Sequence, residues 1–339
     1  MRESNPPVRA AAGLRYSVFI DGEGRLSSCG SATDDIPGLL GHGEGVTRLN
    51  TPTRLPSTLG GERAVSVSAG LAHILALAAD SSIWSWGGGA FAFFGQLGHG
   101  DTQNQWLPKK IEAFAGQRVV AVSAGPFHSF AVTADGAVWS WGSGASGQLG
   151  HGDEEPLLPK KVEALAGQRV VAVAAGSEHS FALAADGAVW SWGCGDHGRL
   201  GHGDRQRQLL PKKVEALAGQ RVVAVSAGFE HSFALTADGA AWSWGDRDCR
   251  LRWDGAAWSW SDGDYGRLGH GDEQGQLLPK KIEAFAGQRV VAVSAGEQHS
   301  IARTADGAVF TLGEGGHGCL GHGEDLSDQL LPKKVEVWA

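Results

Sequence analysis

Several things are scarce in this chain, and each scarcity removes a class of protein. Its 339 residues hold four cysteines, at 29, 194, 249 and 319, with no CxxC pair. That is too few for a disulfide framework and the wrong spacing for a zinc site, so reduced, incidental thiols are expected. No apolar run is long enough for a membrane span, and MRESNPPVRAAAG at the start lacks the apolar stretch of a secretory signal, so the expectation is a cytoplasmic or nuclear protein without membrane contact. Positive charge is in deficit: the formal net charge is −8, which argues against a general nucleic-acid or membrane-surface binder. GxxxxGK[ST] does not occur, which removes a phosphate-cradling P-loop. No helix-length apolar pattern is present, and no set of nucleophile, base and acid stands out, so the chain is read as no enzyme.

What is present is repetition. LGHG begins at Leu40, Leu97, Leu149, Leu200, Leu268 and Leu320. From one LGHG to the next the chain runs LGHGD, a spacer, LLPKKVEA, LAGQRVVAVSAG, two variable residues, HSFALTADGAVWSWG and a glycine-rich linker, about 52 residues in all. One interval is longer because DGAAWSW occurs twice, at Asp238–Trp244 and Asp254–Trp260. The excess is read as a local duplication inside one unit, an insert over 239–254 in a single domain spanning 1–339.

Within a unit, four short segments have strand character, for example Lys160–Leu165, Arg169–Ala174, His179–Ala184 and Ala188–Trp192, punctuated by AlaGlyGln, AlaGlySerGlu and AlaAspGly. Along them large residues alternate with small ones, and neither side is polar. Strands apolar on both faces must be covered on both faces, which four-stranded sheets packed around an axis achieve. The expected fold is therefore an all-β propeller of six four-stranded blades, with seven as the alternative. The chain ends LLPKKVEVWA and begins VRAAAGLRYSVFIDGEGRLSSCG, so closure is expected to place Leu331–Val337 and Val8–Phe19 in one blade. In the duplicated region the second copy is expected to continue the blade, with Trp242 and Trp244 displaced into a projecting hairpin.

Three recurring residue types could suggest chemistry. The linkers at Gly142–Gly147, Gly193–Gly198 and Gly313–Gly318 match GxGxxG, but LGHGD and a proline follow where a dinucleotide site needs a helix, so no cofactor is expected. Eleven of thirteen histidines occupy two repeat positions: His42, His99, His151, His202, His270 and His322 in GHG, and His73, His128, His179, His231 and His299 at a strand start, where Tyr16 stands in the first unit. Residues recurring once per blade are read as blade-building, with ring nitrogens satisfied by the adjacent loop, and no metal is expected. Tryptophan pairs spaced by two, such as Trp190 and Trp192, share one strand face and are read as packing between blades.

LGHGD, LPKKV and AGxxHSFALTADGAVWSWG, recurring in this order over nearly the whole chain, resemble the repeat of the regulator of chromosome condensation family. The resemblance implies a propeller; members typically have seven blades, whereas six units are counted here. Plant ultraviolet-B receptors, which resemble the chain in their repeats, carry GWRH in the AGxxH slot. Here that slot holds LeuAla, ProPhe, SerGlu, PheGlu and GluGln at 71–72, 126–127, 177–178, 229–230 and 297–298, so ultraviolet-B sensing is only a minor alternative.

By strand parity, the AGxxH slots and the glycine-rich linkers emerge on one face, while AGQ and ADG occupy the other. The second face is almost invariant along the chain; the first carries nearly all the variation. Phe91, Phe93, Phe94, Trp106, Phe127, Glu178, Asp196, Phe229, Glu230, Trp253, Asp264, Tyr265 and Glu297 are accordingly the expected partner-binding residues. Two functions follow: a non-catalytic propeller presenting this face to a protein partner or, as the resemblance implies, a nucleotide-exchange factor acting on a small GTPase.

Overall fold

The computed structural model describes residues 9–13, 15–32, 38–88, 94–152, 155–245, 267–272, 274, 276–296, 299–315, 320–322 and 324–335. These form six four-stranded antiparallel sheets, each with its strands in chain order, and the fold is an all-β propeller of six blades. The blades span 9–54, 64–110, 119–161, 170–213, 222–281 and 290–334. The chain has two compact units, 1–175 and 176–339.

Blade three shows how the repeat builds a sheet. Its strands are Val119–Ala124, His128–Thr133, Val138–Gly142 and Lys160–Lys161. The second strand is buried at every position, as are its counterparts in blades two, four and five, which is what apolar character on both faces required. In the sixth blade the same strand, His299–Thr304, alternates instead, with Ile301 38% exposed and Arg303 exposed where blades two, four and five bury leucine and blade three buries Val132. The turn between the second and third strands is set by its aspartate: Asp135 Oδ1 accepts from the Thr133 hydroxyl at 2.6 Å and from the Ala137 amide at 3.3 Å.

The LPKK segment corrects the expected strand order. It was expected to open a blade; it ends one. Trp139 pairs with Lys161 and Ser140 with Lys160, after which a 3₁₀ turn, Glu163–Leu165, anchored by buried Leu165, carries the chain into Val170–Ala175. As the outer strand, LPKK blunts its own edge with proline and lysine. The same shift removes the expected closure. Gln329–Lys334 is the fourth strand of the last sheet, and Arg9–Ala12 is the first of a complete sheet of its own, so the two termini do not share a blade. Antiparallel pairing allows LPKK to turn back or run forward, and only the backward register places Trp139 opposite Lys161.

The duplication also resolves against expectation. Ala241–Gly245, in the first copy, is the blade strand, and Trp244 is fully buried rather than displaced. Trp258 and Trp260 lie outside the described residues.

Candidate interaction face

Repeat histidines staple blade two to blade three, blade four to blade five and blade five to blade six. His73 Nε2 lies 2.7 Å from Ser129 Oγ, His179 Nε2 3.0 Å from Ser232 Oγ, and His231 Nε2 2.9 Å from Ser300 Oγ. Ser129 donates its own proton to the Gln96 carbonyl at 2.9 Å, so the histidine must be the donor, with Nε2 protonated and Nδ1 bare. Nδ1 of His73 and His231 is buried without a partner, and a methyl group on Gly70 would stand 2.9 Å from the His73 ring. Burial holds His73 and His128 down to about 3, and His231 well below the usual imidazole value. In blade one the Tyr16 hydroxyl takes this place and donates to the Gly70 carbonyl at 2.8 Å, its pKa raised by burial.

The GHG histidines work within a blade. His99 Nε2 meets Ser85 Oγ at 3.0 Å, and the serine donates to the Leu97 carbonyl at 2.8 Å. His42, His151, His202, His270 and His322 repeat the contact. Burial depresses His99 to about 4. Both histidine sets are read as blade-building; Nε2 meets a serine or threonine hydroxyl in each contact named above, and His42 also has a backbone partner at Thr53. Among the described residues no group of three or more His, Cys, Asp or Glu is arranged to hold a metal. Among the described residues the second tryptophan of each pair is core: Trp86, Trp141, Trp192 and Trp244 are fully buried, and Trp141 and Trp244 donate to the Gln96 and Arg199 carbonyls.

With both histidine positions committed to structure, the variable face remains. In every antiparallel sheet the first-to-second connection, which carries the AGxxH slot, and the third-to-fourth linker leave by the same end. In the first unit this end brings Phe94 and Phe127 together, ring centroids 5.7 Å apart, both half-buried. Beside them a side chain on Gly95 would strike Leu157, which is 38% exposed. Trp106 is half-buried, and its carbonyl accepts from the Gly43 amide. In the second unit Asp196 is exposed, and Glu178 and Phe229 are half-buried. Phe91, Phe93, Trp253, Asp264, Tyr265 and Glu297 lie outside the described residues.

Glu230 is a correction. Expected on the surface, it is 2% exposed and sits between two buried arginines, Arg199 and Arg267, with Nη2 to carboxylate distances of 3.9 and 3.4 Å. Neither arginine was singled out in the sequence. The available signal was that both replace the glutamine of Gln96 and Gln148 immediately before LGHG.

A model of the RCC1-like domain matches residues 2–251, and the regulator of chromosome condensation (RCC1) repeat matches 254–303 and 306–338. The chain belongs to the RCC1 family. It is 37% identical to the ultraviolet-B receptor UVR8 of Arabidopsis thaliana, over 96% of this chain and 69% of the receptor. It is 38% identical to the E3 ubiquitin-protein ligase HERC2 of Homo sapiens over 94% of this chain, which spans only 6% of that protein. Among solved structures, human WBSCR16 superposes with a TM-score of 0.81 at 25% identity, over 98% of this chain and 82% of that one. Prp20p of Saccharomyces cerevisiae, described with its binding to Gsp1p and histones, superposes at 0.80 and 25%, over 97% and 77%. The RCC1 repeat thus accounts for the order of motifs along the chain.

Proposed function

We propose that this RCC1-family propeller is a non-catalytic interaction module whose partner-binding surface is the end of the blades bearing the AGxxH slots and glycine-rich linkers. One observation carries the reading. The opposite end repeats nearly the same ADG turn and AGQR loop in each blade, whereas this end differs from blade to blade, with Phe94, Phe127 and Leu157 in the first unit and Phe229, Glu178 and Asp196 in the second. Partly accessible aromatic and aliphatic groups with a polar surround are the composition of a protein interface. The partner is a protein; membrane and nucleic acid are not proposed, given the net charge of −8.

Nucleotide exchange on a small GTPase is the second reading, favoured by the likeness to Prp20p and its binding to Gsp1p. The likeness to UVR8 invites a third, light sensing, which the AGxxH slots do not support because none holds the Trp-Arg pair. Incubating the chain with a panel of small GTPases loaded with fluorescent GDP separates the first two. Binding without accelerated release supports an interaction module; release accelerated tenfold or more establishes exchange.

A further inference from the structure

The blades of the second unit are nearly interchangeable in sequence. Gln208–Lys213, Gln276–Lys281 and Gln329–Lys334 are all QLLPKK, and Val222–Ala227 and Val290–Ala295 are both VVAVSA. The pairings they make are equally alike: Trp190 faces Lys213 as Trp242 faces Lys281, and the staples His179 to Ser232 and His231 to Ser300 have the same chemistry. Nothing in these contacts penalises a strand that pairs with the wrong blade, and such misassembly is the characteristic failure of repeat proteins.

Two sequence positions do distinguish the blades. The residue before LGHG is Leu39, Gln96, Gln148, Arg199, Arg267 and Cys319 in turn, and the second residue of the AGxxH slot is Ala72, Phe127, Glu178, Glu230 and Gln298. Arginine at the first position and glutamate at the second meet in the structure. Arg199, from the linker of blade four, and Arg267, from the linker of blade five, both reach Glu230 at the head of blade five. All three side chains are 6% exposed or less. Arg199 is further held by donating Nε to the Asp196 carbonyl at 2.9 Å and Nη1 to Ser177 Oγ at 3.3 Å.

The cluster is poorly suited to two obvious roles. It is too buried to meet a partner. It is also a weak source of stability, because three charges are desolvated for contacts longer than the 2.7–2.9 Å of good ionic hydrogen bonds. Its energetic effect is large only in a wrong arrangement. If the linker of blade four met a blade head without a glutamate, Arg199 would lose its carboxylate, and Glu230 would lose one of its two counter-charges.

We propose that Arg199, Glu230 and Arg267 form a register key, a buried charge pattern that selects the order of near-identical blades during folding. The neutral alternative is already written in the chain, since glutamine occupies equivalent positions at 96, 148 and 298.

The test is refolding of the full chain from urea, read as the fraction of native monomer on size exclusion beside the thermal midpoint. A triple variant, Arg199→Gln with Glu230→Gln and Arg267→Gln, is expected to melt at or above the wild-type temperature yet to refold to several-fold less monomer, the remainder being strand-exchanged oligomers. An inverted variant, Arg199→Glu with Glu230→Arg and Arg267→Glu, keeps a complementary pattern and is expected to refold to at least twice the monomer yield of the triple-glutamine chain. Wild-type yield from the triple-glutamine variant overturns the proposal. So does failure of that variant to fold at all, which would make the cluster a stability element, and so does an inverted variant refolding no better than the glutamine one.

Discussion

His73 Nε2 and Ser129 Oγ, 2.7 Å apart, join blade two to blade three through an imidazole that burial keeps neutral. Burial keeps His73 and His128 near 3, while in the unfolded chain both titrate near 6.5. The folded pKa is the lower one, so the full stability is present above pH 6.5 and is lost as pH falls from there toward 3. Within that window each such histidine removes about 1.4 kcal/mol per pH unit. Urea melts at pH 7, 6, 5 and 4 should show the midpoint falling steadily below pH 6.5. A midpoint independent of pH from 7 to 4 would contradict neutral, buried staples.

Ser129 serves two partners at once, accepting from His73 and donating to the Gln96 carbonyl. Ser129→Ala should therefore cost about 2 kcal/mol, since the buried His73 Nε2–H is left without its acceptor and the Gln96 carbonyl keeps only the Trp141 donor. Glu62→Ala, at an exposed position, should stay within about 0.5 kcal/mol of wild type. Chemical denaturation of the two variants makes the comparison.

Gly201 and Gly167 both have positive φ, +75° and +82°, but different surroundings. A Cβ on Gly201 would lie 2.9 Å from Trp244 Nε1, whereas one on Gly167 meets nothing. Gly167→Ala should cost about 1 kcal/mol from backbone strain alone, and Gly201→Ala about 2 kcal/mol more, because a fully buried indole has to move. Equal melting temperatures for the two variants would show that Trp244 is not held as described.

Deleting 239–254 joins Asp238 to Gly255 and restores a single DGAAWSW. The shortened chain should fold with Trp258 and Trp260 in the sites that Trp242 and Trp244 now fill. Retained near-ultraviolet circular dichroism and cooperative melting would confirm this; loss of folding would show that the removed residues are themselves structural. Trp244→Ala in the intact chain should cost about 3–5 kcal/mol, as removal of a fully buried indole does.

The fold was largely legible because each repeat states its strands in the same order and its turns in the same words. Two things were not. LPKK alternates and charges its residues identically whether it opens a blade or ends one, so the choice falls to a pairing between Trp139 and Lys161 that no local pattern encodes. The two DGAAWSW copies are identical, and only packing chooses between them. At the candidate face, Phe94 and Phe127 were recognisable as loop aromatics and do meet. Glu230 was misread because a loop carboxylate is ordinarily solvated; its burial depends on Arg267, 37 residues further on, and on Arg199 in the preceding linker.

The central claim is that partners bind the variable end of the blades. A photo-crosslinking phenylalanine placed at Phe127, Asp196 or Phe229, and separately at Gln117 or Gln168 in the repeated loops of the opposite end, tests it directly in cell extract. Ultraviolet-dependent adducts with the same protein from the first set and none from the second are predicted. Adducts confined to Gln117 and Gln168 would contradict the claim and move the interaction to the invariant end.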